Sequence, residues 1–207
     1  RESATRAPGD RAVLASLTVP GSRSAVPLGL SICYDLRFPE LYRHLAVQGA
    51  RILAVPSAFT ARTGREHWLA LLKARAIENL AYVVAANQFG SGGEGIDTYG
   101  RSAIIDPWGT ALALCPDGEG WASAVLDLER QETIRRGFPA LRHMRMDLFL
   151  KAAPIEKKGG TGTWFASVDP WSPRPVPQAF YVIKQLPPKS DPQALLLLLR
   201  LDHTKSL

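Results

Sequence analysis

Short apolar runs and longer helical periods alternate along residues 28 to 150. Leu28 to Cys33 is a short, mostly apolar run with no helical period, which predicts a buried strand. Pro39 then stands where a first helical turn begins, and the apolar stripe that follows it stops at Gly49, a natural helix end. Arg51 to Val55 repeats the strand pattern. The first third of this region therefore predicts a strand, a helix and a second strand.

The rest of this region also combines predicted helices with short apolar strands. A second helix carries Trp68 and Arg75 and leads directly into another strand. The further predicted elements are the strand Tyr82 to Ala86, a Gly-rich loop from Gly90 to Gly95, strands over Tyr99 to Ile105 and Thr110 to Leu114 joined by a turn from Asp106 to Gly109, a strand near Ala122 to Leu126, and a helix around Glu129 to Arg136. This order predicts an α/β domain with mixed sheets.

The two ends of the chain lack this regularity. Residues Arg1 to Val26 are predicted to be loop-like, and because the chain begins at Arg1 rather than Met we expect upstream sequence to be missing. From Lys151 onward the chain holds half of its 16 prolines and no sustained period. We therefore predict one folded region, 1–150, followed by a Pro-rich tail, 151–207, that is mostly disordered or loosely packed.

Composition and charge narrow the function classes. With 207 residues, 46% hydrophobic and 21% charged, the chain suits a folded domain with a core. Of the net charge of +6, most belongs to the tail, which carries eight basic and four acidic residues. A nearly neutral body argues against nucleic-acid binding. The longest late apolar run, Leu195 to Leu199, is far short of the ~20 residues of a membrane span, so no membrane partner is expected.

The two cysteines occupy different predicted positions. Two cysteines do not make a disulfide framework. Cys33 ends a strand just before a turn and a helix, where backbone N–H groups favour a thiolate and a developing oxyanion. The alternative is that Cys33 is a small buried apolar residue. Cys115 ends a hairpin strand with no helix behind it, and we predict that it is inert.

The residues around Cys33 resemble the nucleophile motif of the nitrilase superfamily of carbon–nitrogen hydrolases. The resemblance runs from about residue 1 to residue 150 and follows several motifs in order. These are Leu28 to Glu40 around Cys33, Val55 to Phe59, Gly64, His67-Trp68, Ala74 to Asn79, Tyr82 to Asn87, Tyr99 to Ser102, Asp106 to Gly109, Pro139 and Asp147 to Phe149. The resemblance implies an α-β-β-α sandwich, incomplete at the N-terminus of this chain.

The same resemblance implies a mechanism and site residues. Family members use a Glu, a Lys and a Cys, and the match makes Cys33 the nucleophile and the backbone N–H of Tyr34 an oxyanion donor. The general base and the Lys precede the Cys and have no match here, whereas Glu2 matches a second, supporting Glu. Ala58 and Phe59 follow a strand end and are implied to line the substrate pocket. The resemblance also implies a reaction that passes through a thioester and requires no metal or organic cofactor.

Several functional readings remain open. The residues of these motifs are most similar to those of the branch that hydrolyses deaminated glutathione. The alternative is the omega-amidase branch, which acts on short α-keto-acid amides. Because the base and the Lys are absent, the chain alone is predicted to be inactive, and it could instead be a non-catalytic partner of full-length subunits. A pair of Cys33 with His67 is conceivable. The full-length protein is expected to be a homo-oligomer in the cytoplasm, with a mitochondrial form as an alternative.

Overall fold

The structure, a computed structural model, describes residues 11–18, 25–91 and 96–145 and the backbone of strand 179–185. The elements in chain order are β1 (Val13–Leu17), β2 (Val26–Leu30), a 3-10 helix (Cys33–Arg37), α1 (Pro39–Val47), β3 (Ile52–Ala54), α2 (Ala61–Asn79), β4 (Tyr82–Ala85), β5 (Phe89–Ser91), β6 (Asp97–Tyr99), β7 (Ala103–Ile105), β8 (Ala111–Leu114), β9 (Gly120–Leu126), α3 (Leu128–Gly137) and β10 (Ala179–Gln185).

Helix α1 has the boundaries that its sequence predicts. Pro39 occupies the first turn, where its missing N–H has no intrahelical acceptor to lose. The helix ends just before Gly49, whose φ of 102° lies in the left-handed region that a glycine adopts without steric cost. The predicted helix from Pro39 to Gly49 is therefore confirmed.

A six-stranded mixed sheet organises the fold, with strand order β1-β2-β3-β4-β7-β8. Strands β2, β3 and β4 are parallel, with Leu28 opposite Ile52 and Ile52 opposite Tyr82. Strands β1, β7 and β8 complete the sheet through antiparallel pairs. Because three neighbouring strands are parallel, their carboxyl ends meet at one edge of the sheet, which is where α/β proteins place their sites. The α/β class is confirmed.

Each face of the sheet buries its own core. On one face α1 and α2 cover the sheet, with Tyr42, Trp68 and Leu72 packing against strand residues such as Leu53 and Val83. The opposite face buries a second cluster, Val26, Leu28, Ile52, Ala54, Tyr82, Val84, Ala86, Ile104, Leu126 and Leu128, in which the last two residues come from β9 and α3. Burial on both faces explains why β3 and β4 are continuously apolar in sequence.

Two sequence predictions about the strands are wrong. The segment predicted as a loop before Val26 contains β1, an antiparallel partner of β2. Strand β1 is half exposed, and its more and less exposed positions alternate only weakly. It therefore lacks the apolar run that marks a buried strand. The predicted strand Tyr99 to Ile105 is interrupted, because Gly100 and Arg101 both adopt positive φ, at 69° and 57°. Those two residues and Ser102 separate β6 from β7.

One segment of the predicted tail forms a strand. Ala179–Gln185 is β10 and pairs antiparallel with β9, with Ala179 opposite Leu126. The remainder of 151–207 lies outside the described residues, so the division into 1–150 and a tail stays a prediction. Among the described residues, no helix is long and apolar enough to cross a membrane.

Candidate active site

Cys33 begins a 3-10 helix at the carboxyl edge of the parallel strands. The strand predicted to reach Cys33 ends earlier, at Leu30, and two extended residues join it to the helix. Cys33 itself has a φ of 45°, in the left-handed region that side chains other than glycine seldom adopt. Such a conformation costs roughly 1–3 kcal/mol and clusters at functional sites. The thiol is partly exposed.

Backbone hydrogen bonds hold this turn against the end of β3. Ser31 donates its N–H to Ala54 O over 3.1 Å, and Cys33 donates its own to Pro56 O over 2.8 Å. The N–H of Ile32 binds the Asp35 carboxylate over 2.8 Å. The segment from residue 31 to residue 37, called the elbow below, is thus tied both to β3 and to itself.

Side chains from α1 and α2 stabilise the elbow from beneath. The Ser31 hydroxyl lies 2.7 Å from the hydroxyl of the fully buried Tyr42 and donates to Ala54 O over 2.8 Å. Arg75 of α2 donates to Leu36 O from Nε over 3.0 Å and from Nη2 over 2.8 Å. Burial raises the pKa of the Tyr42 phenol well above its usual range, so this hydroxyl is neutral at physiological pH.

A side-chain network on α2 extends to the elbow. Arg75 Nη1 lies 3.0 Å from Glu78 Oε1, and Asn79 Nδ2 donates to Arg75 O over 2.9 Å. Nε and Nη2 of Arg75 donate to the carbonyl of Leu36 in the elbow, 39 positions away in sequence. No local pattern in α2 could predict that contact.

Tyr34, the predicted oxyanion donor, directly follows Cys33 at the start of the 3-10 helix. It is the second residue of the 3-10 helix, so its backbone N–H has no acceptor within that helix. Its ring is 64% exposed and packs edge-on against Phe38, with centroids 5.4 Å apart. The side chain is therefore no part of the core, and the oxyanion role of the backbone stays a prediction.

Ala58 and Phe59 lie at the carboxyl edge beyond β3, as predicted, but in different environments. Ala58 is exposed, whereas Phe59 is 4% exposed and packs against the Trp68 ring at a centroid distance of 5.2 Å. The guanidinium of Arg37 lies 4.9 Å above the Phe59 ring. Of the two, only Ala58 is exposed, while Phe59 supports Arg37. Their substrate role stays a prediction.

Arg37 places a guanidinium at the elbow against two aromatic rings and an imidazole. Besides Phe59, its guanidinium lies 5.7 Å from the Tyr34 ring centroid, and Nη1 lies 3.2 Å from His67 Nδ1. Among the described residues these contacts involve two rings and an imidazole rather than a carboxylate. The site therefore presents positive charge four residues after the nucleophile.

Two further predictions concern the supporting acid and the need for a metal ion. Glu2, the predicted supporting acid, lies outside the described residues, so its role stays a prediction. Within residues 11–18, 25–91 and 96–145, no cluster of three or more His, Cys, Asp or Glu could hold a metal ion.

Asn87 was not singled out from the sequence, yet it is fully buried at the same edge. Its side chain binds Phe59 N and Gly100 O, and its own N–H binds the Ser102 hydroxyl. An Asn that directly follows an apolar, fully buried strand must find partners for its amide, because unpaired buried polar groups are costly. That requirement is the signal that could have identified it.

Comparisons with known proteins agree with this geometry. Residues 1–136 match the family model described as carbon-nitrogen hydrolase. The chain belongs to the carbon–nitrogen hydrolase family. A Homo sapiens member named deaminated glutathione amidase is 49% identical over 134 residues, which cover 65% of this chain and 41% of that protein. This chain therefore spans less than half the length of that relative.

Solved structures of other carbon–nitrogen hydrolases share the fold. Saccharomyces cerevisiae Nit3, a member of branch 10 of the nitrilase superfamily, superposes with a TM-score of 0.62 at 34% identity, covering 70% of this chain and 51% of that one. A mutant amidase from Nesterenkonia sp. AN1 superposes with a TM-score of 0.59 at 28% identity, covering 73% and 52%. In that amidase the acetamide moiety of fluoroacetamide is covalently added to the active-site cysteine.

Proposed function

We propose that the protein to which this chain belongs is an amidase that hydrolyses deaminated glutathione with Cys33 as its nucleophile. The observation that carries the proposal is the position of Cys33, strained at φ 45° and partly exposed at the carboxyl edge of parallel strands. The proposal is also supported by the human relative named deaminated glutathione amidase, which is 49% identical to this chain. The chain spans only 41% of that relative, so the proposal concerns the whole protein.

The chemistry proceeds in two halves. The Cys33 thiolate attacks the amide carbonyl carbon, a carbon–sulfur bond forms, and the carbonyl electron pair moves onto oxygen. The oxyanion accepts a hydrogen bond from the Tyr34 N–H. When the carbon–nitrogen bond breaks, the nitrogen takes up a proton and leaves as the amine. Water then attacks the thioester, releasing the acid and restoring the thiol.

Arg37 supports a substrate that carries a carboxylate. A guanidinium binds carboxylates through paired N–H donors. Arg37 is fixed by Phe59, Tyr34 and His67 close to the nucleophile in sequence, with no acidic partner among the described residues. An α-keto acid supplies that carboxylate at neutral pH. The same feature suits the alternative substrates, short α-keto-acid amides, so Arg37 does not discriminate between the two branches.

A hybrid enzyme tests this proposal. In the hybrid, the present chain replaces the matching 134-residue segment of the human relative, so that the remainder of the domain is supplied. We expect the hybrid to hydrolyse deaminated glutathione faster than a short α-keto-acid amide, and we expect the chain alone to give no turnover.

Matched variants complete the experiment. Cys33→Ala in the hybrid should abolish turnover, whereas Cys115→Ala should preserve it because Cys115 is buried away from solvent. A hybrid that prefers the short amide would favour the omega-amidase alternative. A folded hybrid without activity on either amide would favour a non-catalytic partner, and turnover by the chain alone would overturn its expected inactivity.

A further inference from the structure

Asn87 lies where the candidate substrate segment meets the end of β4. It forms an isolated parallel bridge with Ser57, so β3 and β4 remain paired beyond their regular ends. Ser57 donates its N–H to Ala86 O over 2.8 Å, and Gln88 donates to Ser57 O over 3.0 Å. Asn87 therefore stands beside Ala58 and Phe59 at the carboxyl edge, with no exposed surface of its own.

The side chain of Asn87 joins two loops with both ends of its amide. Oδ1 accepts the Phe59 N–H over 2.8 Å, and Nδ2 donates to Gly100 O over 2.6 Å. A backbone N–H can only donate and a carbonyl can only accept, so these partners fix which way the amide points. The backbone N–H of Asn87 is also bound, to Ser102 Oγ over 2.9 Å.

Further contacts close this arrangement around Phe59. Tyr99 donates its N–H to Phe59 O over 2.8 Å. The indole of Trp68 donates to Arg101 O over 2.8 Å and packs at a tilt against the Phe59 ring. Arg101 adopts a φ of 57°, so the residue that accepts the Trp68 bond is itself strained. Phe59 is consequently fixed on three sides, and Asn87 supplies the bond to its N–H.

Asn87 does not hold the nucleophile. Its described bonds go to Phe59, Gly100 and Ser102, whereas the elbow is held by Ala54, Pro56, Tyr42 and Arg75. Loss of the Asn87 amide should therefore disturb the segment beside Cys33 while leaving Cys33 in place.

We propose that Asn87 is a positioning residue for the amide substrate, because its side-chain amide fixes the Ala58–Phe59 segment against the Gly100–Arg101 turn at the edge where Cys33 lies. The inference rests on the proposed function and deepens it: Asn87 governs how well an amide binds, not how fast bound amide reacts. Removing a hydrogen-bond partner and leaving buried backbone groups unpaired weakens the arrangement that Asn87 maintains.

Alkylation of Cys33 by chloroacetamide separates binding from reaction. The reagent carries a primary amide, and attack by the thiolate displaces chloride to give a stable thioether. In the full chain we measure the limiting rate and the half-saturating concentration of alkylation at Cys33 by mass spectrometry. For Asn87→Leu, an isosteric change, we expect the half-saturating concentration to rise about tenfold or more, while the limiting rate changes less than about twofold.

A second buried amide provides the matched control. Gln131 of α3 is fully buried and donates from Nε2 to Arg51 O and Leu80 O, on the other side of the fold. Its Oε1 accepts from Arg51 Nε over 2.6 Å. Gln131→Met removes this buried amide far from Cys33 and should change neither kinetic constant. An amide-free thiol reagent, methyl methanethiosulfonate, should react with Asn87→Leu and with the wild-type chain at the same rate.

Each other outcome has a defined meaning. A limiting rate that falls together with binding, or an unchanged half-saturating concentration, would overturn the positioning role. Wild-type alkylation that shows no saturation and no preference over the amide-free reagent would instead contradict the proposed amide site. If Asn87→Leu does not fold, Asn87→Asp keeps the acceptor for Phe59 N–H and loses the donor to Gly100 O, and it should also raise the half-saturating concentration. If neither variant folds, Asn87 is a stability residue and the inference fails.

Discussion

The two cysteines of this chain lie in regions with opposite properties. Cys33 opens a short helix at the carboxyl edge of parallel strands, in a left-handed conformation and partly exposed. Cys115 follows the antiparallel strand β8, is fully buried, and donates its N–H to Ser102 O over 2.8 Å. Burial raises the pKa of the Cys115 thiol, which favours its unreactive protonated form.

The difference shows that the backbone position decides what a thiol can do. The 3-10 helix that starts at Cys33 leaves the N–H of Tyr34 without an acceptor inside the helix, and the start of a helix favours negative charge. The residues directly after Cys115 form no helix, so they offer no such N–H. Substitutions that remove contacts to the elbow should therefore reduce the preference of Cys33 for amide reagents. The effect of each substitution should be larger when it removes more contacts.

The largest effect is expected for Arg75→Met. This change removes two hydrogen bonds to Leu36 O and the ion pair with Glu78, and it leaves a buried elbow carbonyl without its donor. We expect the free energy of unfolding to fall by about 1–3 kcal/mol and alkylation of Cys33 to lose its amide preference. Denaturant unfolding and chloroacetamide kinetics measure the two effects.

Arg65→Met is the control for that change, because Arg65 lies on the same helix but is exposed. It should alter the free energy of unfolding by less than about 0.5 kcal/mol. Equal losses in the two variants would show that Arg75 contributes only helix stability, and the distinction between the elbow and the Cys115 region would lose this support.

A smaller effect is expected for Tyr42→Phe, which removes the 2.7 Å hydrogen bond to Ser31 and little else. The free energy of unfolding should fall by about 0.5–1.5 kcal/mol at neutral pH. The stability of Tyr42→Phe and that of the wild-type protein should also respond differently to alkaline pH. Because burial raises the pKa of Tyr42, the native protein holds this proton above pH ~10, where the unfolded chain releases it, so wild-type stability falls there as pH rises.

The alkaline slope provides the check on this assignment. Tyr42→Phe should show a shallower loss of stability above pH ~10, with a residual slope from Tyr82, whose pKa burial raises to about 12. Chemical unfolding at pH 7 and at several alkaline values measures both quantities. An identical slope in the variant and the wild-type protein would mean that Tyr42 is not buried as the structure places it.

The sequence predicted well those features that depend on local pattern. The boundaries of α1 follow from Pro39 and Gly49, and the buried strands β3 and β4 follow from continuous apolar runs. The prediction that Cys33 is the nucleophile, which remains a prediction, uses local signals of the same kind: its setting between a strand and a helix and the motif around it. These signals lie within a few residues of the element that they describe.

The features that the sequence missed depend on contacts between distant segments. The bond from Arg75 to Leu36 O spans 39 positions, and the one from Asn87 to Phe59 N spans 28. The short strand β1 exists because it pairs with β2, although its own apolar pattern is weak. Strand pairing and side-chain bridges of this kind are set by the tertiary fold, so no local period indicates them.

The central claim is that Cys33, and not Cys115, is the nucleophile that recognises amides. The most direct measurement treats the folded chain with chloroacetamide between pH 7 and pH 9 and locates the adduct by peptide mass spectrometry. The account predicts a saturable adduct on the peptide that carries Cys33, absent in Cys33→Ala and unchanged in Cys115→Ala, with Cys115 labelled only after unfolding. Labelling of both thiols at similar rates in the native chain, without saturation, would contradict it.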